Sequence, residues 1–144
     1  MKIYLSGEIH SNWRNAIIKG CEEKSLNITF LTPETEHAKS DDAGDVLGPE
    51  EKPFWKDHQS AKINSIRISN EIKEADLVVV KFGEKYRQWN AAFDAGYCAA
   101  LGKPYIVIHP SEYDHALKEV DAQAKATAAN EAQVVEILAY LLRP

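Results

Sequence analysis

Apolar residues along this chain fall into short unbroken runs separated by longer stretches with helical spacing. Residues 77–80, Leu-Val-Val-Val, have no polar side chain between them, the pattern of a strand buried on both faces of a parallel sheet. Residues 105–108, Tyr-Ile-Val-Ile, repeat it after Gly102-Lys103-Pro104. The segment between them, residues 89–101, is rich in Ala and free of β-branched residues, which predicts a helix. Together these make one βαβ unit, because two parallel strands need a crossover helix of this kind.

The same reading extends to both ends. Residues 2–6 read as a first strand, and Gly7 permits a tight turn into Glu8-Ile9-His10-Ser11-Asn12. Ser11 or Asn12 is placed to cap a helix whose apolar stripe is Trp13, Ile17, Ile18 and Cys21. Residues 28–31 make a second strand that closes at Thr32-Pro33. Residues 61–75 predict an amphipathic helix, with Ile63, Ile66, Ile68 and Ile72 among charged residues. Arg67, at its polar boundary, either pairs with Glu71 or turns toward a cleft. A short helix near residues 115–120, a weak strand near 125–128 and a last helix over 131–142, capped by Asn130, complete the chain. The sum is four or five mostly parallel strands with helices on both faces: a single flavodoxin-like (Rossmann-like) three-layer α/β domain over residues 1–144.

Residues 33 to about 60 break this rhythm with three prolines, two glycines and many acids. Val46, Leu47, Phe54 and Trp55 offer apolar anchors, so the expectation is an ordered excursion that covers a cleft, not a disordered linker.

Composition narrows the partners. With 144 residues and 44% hydrophobic content there is material for one ordinary core. A net charge of −5 without any block of Lys or Arg argues against a nucleic-acid polymer as main partner. Cys21 and Cys98 stand far apart with no His at metal-ligand spacing, which argues for a reducing compartment and against a zinc site. The chain opens directly on a strand-like MKIYLSG with no long apolar run behind it, so neither a signal peptide nor a membrane span is expected, and the cytoplasm is the default.

Candidate chemistry collects where strands end, since ligands of open α/β sheets bind outside the carboxyl ends of the strands. One glycine after the first strand does not make the glycine-rich fingerprint of a dinucleotide cofactor, so no cofactor is expected. The first turn offers Glu8 and His10 instead. Glu8 serves either as an acid in the cleft or as a carboxylate bonding the amides of its own turn, and His10 either as a titratable group or as a loop residue. His37, Ser40 and Asp41 are the ligand contacts expected from the excursion. The end of the third strand brings Gly83, Glu84, Lys85, Tyr86, Arg87, Gln88, Trp89 and Asn90. Asp94, one turn beyond Asn90, shares a helix face with Tyr97 and Cys98; it is either a functional carboxylate or an acid that complements the helix dipole.

The stretches MKIYLSGEIHSNWR, HAKSDDAG and FGEKYRQWNAAFDAGYCAALGKP, and the spacing among them, resemble the YtoQ family, small bacterial proteins grouped with the nucleoside 2-deoxyribosyltransferases. The resemblance spans nearly the whole chain. In the transferases a Tyr-Leu-Ala-Gly motif opens the site, and Tyr4-Leu5-Ser6-Gly7 is similar to it. Counting back from Gly102-Lys103-Pro104 through Gly96 places Asp94 where those enzymes carry their nucleophilic Glu. The resemblance therefore implies a carboxylate that attacks the anomeric carbon of a ribosyl or deoxyribosyl group as the base leaves, forming an ester that water or another base resolves. Glu8 or Asp41 would be the accompanying acid or base, with Glu8 the first choice, and Tyr4 or Tyr86 would orient the nucleophile.

The chain departs from the transferases in three places. The acid is Asp, one methylene shorter; Ile68 stands where they carry a sugar-holding Asp; and Asn90-Ala91 replaces their Gly-Thr. Lys85 and Arg87 near a helix start suit a phosphate and Trp89 or Tyr86 a base, or these are solvated charges and an interface aromatic. The expected ligand is a nucleoside or nucleotide-like small molecule, bound by Tyr4, Gly7, His10, His37, Ser40, Asp41, Gly83, Lys85, Tyr86, Trp89 and Asn90. The competing expectation is a binding protein on the same fold that performs no turnover. Because the related enzymes complete their pockets with a neighbouring subunit, a homo-oligomer is expected.

Overall fold

The structure, a computed structural model, describes residues 1–85 and 87–143. Its strands are β1 (Lys2–Gly7), β2 (Thr29–Leu31), β3 (Leu77–Lys81), β4 (Tyr105–Ile108) and β5 (Ala126–Ala128). They form one sheet in the order β2-β1-β3-β4-β5, and every neighbouring pair is parallel. This is the flavodoxin-like order, with its switch point between β1 and β3.

Six α-helices flank the sheet: α1 (Trp13–Glu23), α2 (His37–Asp41), α3 (Pro53–Glu74), α4 (Trp89–Ala100), α5 (Lys118–Gln123) and α6 (Glu131–Leu141). Alternation along the strands sorts the core into two layers. Ile3, Leu5, Val79, Ile106 and Ile108 face α1 and α6, meeting Trp13, Ile17, Val134 and Leu138. Tyr4, Val78, Val80 and Val107 face the other way, toward Ile72 of α3 and Ala91, Ala95 and Cys98 of α4. The expected stripe of α1 is buried at Trp13, Ile17 and Cys21 and half-buried at Ile18, and Asn130 caps α6 by accepting from the Gln133 amide at 3.0 Å. Ser11 and Asn12 do not cap α1; Ser11 turns to Glu8, and Asn12 accepts from the Asn15 side chain.

The excursion is ordered, but not by the anchors its sequence suggests. Val46, Leu47, Phe54 and Trp55 are all exposed. Polar contacts hold it instead. Ser60 of α3 donates to the Asp41 carbonyl at 2.5 Å and accepts from the Gly44 amide at 3.0 Å, and the Asn64 amide donates to both oxygens of Ser40. Gly44 lies so close that a Cβ there would meet Gln59 Cβ at 2.8 Å. The helix expected from residue 61 starts eight residues earlier, at Pro53, which suits a first helical position.

Candidate active site

Two clefts open at the carboxyl edge of the sheet. The larger, of about 640 Å³, lies over β1 between α3, α4 and the excursion; Tyr4, Gly7, His37, Ser40, Asp41, Asn90 and Asp94 all line it. The smaller, of about 350 Å³, lies over the ends of β3 and β4 and takes in Glu8, His10, Gly83 and Lys85. The expected residues are thus brought together as two groups. Trp89 lines neither cleft and is 70% exposed, with the Arg87 guanidinium 5.8 Å from its ring. Tyr86 lies outside the described residues.

Asp94 is the focus of the larger cleft. Ala91 and Ala95 let α4 approach the sheet closely, and Asp94 is only 8% exposed. Ser6 is two residues beyond Tyr4 on β1 and so shares its face. Its hydroxyl donates to Asp94 Oδ2 at 2.5 Å. Among the described residues that is the carboxylate's only side-chain partner. Burial pushes the Asp94 carboxyl up to about 6, although the Ser6 hydrogen bond works in the opposite sense. Charge in so dry a position is costly, and groups perturbed in this way cluster at functional sites.

The convergence expected of Asp94 and Glu8 does not occur. Glu8 is buried in the wall of the smaller cleft, where its carboxylate accepts from the His10 amide at 2.6 Å, the Ser11 amide at 3.0 Å and the Ser11 hydroxyl. Burial alone would raise its pKa; the Ser11 hydroxyl and the two amides outweigh that, and the net shift is downward. A carboxyl held ionised in this way is a poor proton donor at neutral pH. Glu8 instead fixes the turn, with Gly83 so close that a Cβ there would sit 2.7 Å from Glu8 Cγ.

Arg14 completes that turn from beneath. Buried, it donates to the carbonyls of Leu5 at 3.0 Å, Gly7 at 3.0 Å and Glu8 at 2.6 Å, while Trp13 Nε1 also donates to Glu8 O at 2.8 Å. Burial lowers the Arg14 pKa to about 10, so the guanidinium keeps its charge at neutral pH. The rim that carries Ser6 and Gly7 is therefore clamped from both sides.

Sequence reasoning missed Ser6, Arg14 and Asn64. Alternation along β1 was the signal for Ser6, because a small hydroxyl residue on the same face as Tyr4 must point at α4. Nothing local pointed to Arg14 or Asn64. Arg67 satisfies both of its expected roles: it bonds Glu71 through Nε at 3.1 Å and also lines the larger cleft. Among the described residues no three His, Cys, Asp or Glu side chains converge as metal ligands would, and no helix is long and apolar enough to cross a membrane.

Ser6→Ala tests the clamp on Asp94. It removes the hydrogen bond that works against burial in setting the Asp94 pKa, so the carboxyl is expected to keep its proton to higher pH than in the wild type. NMR titration of the Asp94 carboxyl, with the fold checked by circular dichroism, is the matched measurement, and an unchanged or lowered pKa would count against the clamp.

Comparison with known proteins supports the fold and shows the family. Solved structures with the same fold include a conserved protein from Enterococcus faecalis V583, at TM-score 0.64 and 12% identity over 99% of both chains. Another is a 2-deoxyribosyltransferase from Bacillus psychrosaccharolyticus, at TM-score 0.58 and 19% identity, covering 94% of this chain and 90% of that one. The uncharacterised protein YtoQ of Bacillus subtilis (strain 168) is 41% identical over 140 residues, 96% of this chain and 95% of that protein. The family model described as nucleoside 2-deoxyribosyltransferase YtoQ matches residues 4–142, a span that includes Tyr4, Ser6 and Asp94, and the chain accordingly belongs to the YtoQ family.

Proposed function

We propose that the protein cleaves or transfers at the N-glycosidic bond of a nucleoside, with Asp94 as the nucleophile. The observation that carries this reading is the Asp94 carboxylate itself, buried at the head of a cleft large enough for a nucleoside, with one oxygen held by Ser6 and the other open.

In the first step Asp94 Oδ1 attacks the anomeric carbon as the carbon–nitrogen bond breaks. The bonding pair leaves on the base nitrogen, which takes a proton from solvent. Asp41, an exposed carboxylate that lines the cleft with Asp94, is placed to accept a proton in the second step. In the second step water, or an incoming base, attacks the same carbon. The ester carbon–oxygen bond breaks, Asp94 regains its charge, and the nucleophile's proton passes to Asp41. The two inversions leave the sugar with retained configuration.

A nucleoside suits the site better than a nucleotide. Glu34, Asp41, Asp57 and Asp94 line the cleft against a single Arg67, which is already engaged with Glu71 and the Thr32 carbonyl. Lys85 lies in the other cleft. Incubation with a panel of nucleosides and nucleoside monophosphates, read as free base by chromatography, tests the proposal. Release from nucleosides is the expected result; saturable binding with no release across the panel would identify a binding protein instead.

We further propose that the chain self-associates through α4. Trp89 and Phe93, four residues apart, present an apolar stripe beside the cleft, and Phe93 lines it while 73% exposed. A dimer or larger species is expected by size-exclusion chromatography with light scattering, and Trp89→Ser with Phe93→Ser should shift it to monomer.

A further inference from the structure

Asn64 stands on α3 in the wall of the larger cleft, and only half of its side-chain amide is used within the protein. Its nitrogen donates to the Ser40 carbonyl at 3.0 Å and to the Ser40 hydroxyl at 3.1 Å. A backbone carbonyl can only accept, so the amide must present its NH2 to Ser40 and hold its oxygen off that residue. Among the described residues nothing donates to that oxygen, yet it is not sealed in the fold as the unpartnered Tyr4 hydroxyl and Glu71 Oε2 are. Asn64 Oδ1 is therefore a reachable acceptor, oriented by two hydrogen bonds made on the other arm of the same amide.

Its height in the cleft defines what it meets. Helix α3 ends at Glu74, just before β3 begins at Leu77, so a step toward its N-terminus climbs to the carboxyl edge of the sheet, where the cleft opens. Ile68 lines the cleft and packs against the core layer behind it, bringing only hydrocarbon to that wall. Asn64 shares its face one turn, about 5.4 Å, nearer the mouth. On α4 the same step from Asp94 leads to Asn90, which also lines the cleft. A pentose attacked at its anomeric carbon by Asp94 carries its remaining hydroxyls, at C3 and C5, over a reach of that order. Charge favours an amide here: Glu34, Asp41, Asp57 and Asp94 already line the cleft, and a further carboxylate would oppose ionisation of Asp94, whereas an amide oxygen accepts from a hydroxyl without adding charge.

We infer that Asn64 holds the sugar, accepting through Oδ1 from the 3- or 5-hydroxyl of a pentose whose anomeric carbon meets Asp94. The inference rests on the N-glycosidic reading above and adds a specificity-determining residue to it. A site built to bond a hydroxyl rejects the analogue that lacks it, because its own polar group is then left without a partner. The same amide joins the sugar to Ser40, so the excursion is tied to the ligand as well as to α3.

The experiment compares 2-deoxyadenosine and thymidine with their counterparts lacking the 3-hydroxyl or the 5-hydroxyl, as kcat/KM for base release and, in an Asp94→Asn background, as binding by calorimetry. The wild-type protein should favour each parent over one of its two counterparts by ~10-fold or more, the scale of one hydrogen bond. Asn64→Ala should bring that ratio close to one, mainly by losing the parent, and the counterpart concerned identifies the hydroxyl. Ser60→Ala loosens the excursion at Asp41 and Gly44 but keeps the Asn64 oxygen, so it should lower the melting temperature and leave the ratio in place. Equal use of parents and counterparts by the wild-type protein overturns the inference whether or not the variants fold. A ratio that Asn64→Ala leaves unchanged, or that Ser60→Ala abolishes as fully, overturns it too. Absence of release and of binding across the whole series overturns the N-glycosidic reading itself, and the role of Asn64 falls with it.

Discussion

Asp94→Asn is expected to lower base release at least ~1,000-fold while making the protein more stable. On the proposed mechanism the loss follows from replacing the attacking carboxylate by an amide, a barrier increase of at least about 4 kcal/mol. On the same mechanism wild-type release should rise with pH through about 6, because only the ionised carboxylate would attack. The gain follows from the same burial. The folded carboxyl keeps its proton up to about pH 6, whereas the unfolded one loses it near 3.8. The folded state therefore pays nothing for Asp94 below about pH 4, a growing penalty between pH 4 and 6, and the full penalty above. That shift corresponds to about 3 kcal/mol at neutral pH. Asn can still accept from Ser6 but carries no charge, so at pH 7 its melting temperature should rise by roughly 5–10 °C, a difference that vanishes below pH 4. Calorimetry at pH 4 and pH 7 separates the two effects. A variant that is inactive and also less stable at neutral pH would mean that Asp94 is a structural acid.

Gly7→Ala is expected to prevent folding. Gly7 ends β1 with φ at +116°, a region that residues with a Cβ rarely occupy. Strain is the smaller part of the problem: a Cβ there would lie 2.1 Å from the Lys81 carbonyl oxygen and 2.7 Å from its nitrogen. Those atoms belong to β3, paired with β1 in register Gly7 with Lys81, so relief requires parting the two central strands. A loss of more than ~4 kcal/mol is expected, beyond the range of ordinary substitutions. Gly48 is the control. It too has positive φ, +101°, but a Cβ would find nothing within 4 Å, so Gly48→Ala should cost only roughly 1–3 kcal/mol. Urea titration of the pair decides the point; similar midpoints would show that contact with β3 is not what demands glycine at residue 7.

The fold was legible because its central strands are apolar on both faces. Residues 77–80 and 105–108 have only one plausible use in a chain this size, and the Ala-rich segment between them must cross over. Legibility failed where polar contacts replaced apolar ones. Phe54 and Trp55 looked like anchors, yet the excursion is pinned by Ser60 and Asn64, whose hydrogen bonds to Asp41 and Ser40 leave no periodic trace. Asp94 was found by spacing within a motif, but its relation to Glu8 was not. Both follow strands of one sheet edge, and sequence does not say which side of the β1 rim a side chain takes. The three hydrogen bonds that fold Glu8 back onto its own turn decided that.

The place of β1 in the sheet also governs how the molecule comes into being. Its partners are β2, made soon after it, and β3, whose residues emerge from the ribosome some seventy positions later. Until then one edge of the first strand stays open, and neither Ser6 nor Gly7 has its final surroundings. Closing so long a loop is slow in entropic terms, and the pairing of Ser6 with Asp94 is postponed until α4 has been synthesised and has docked.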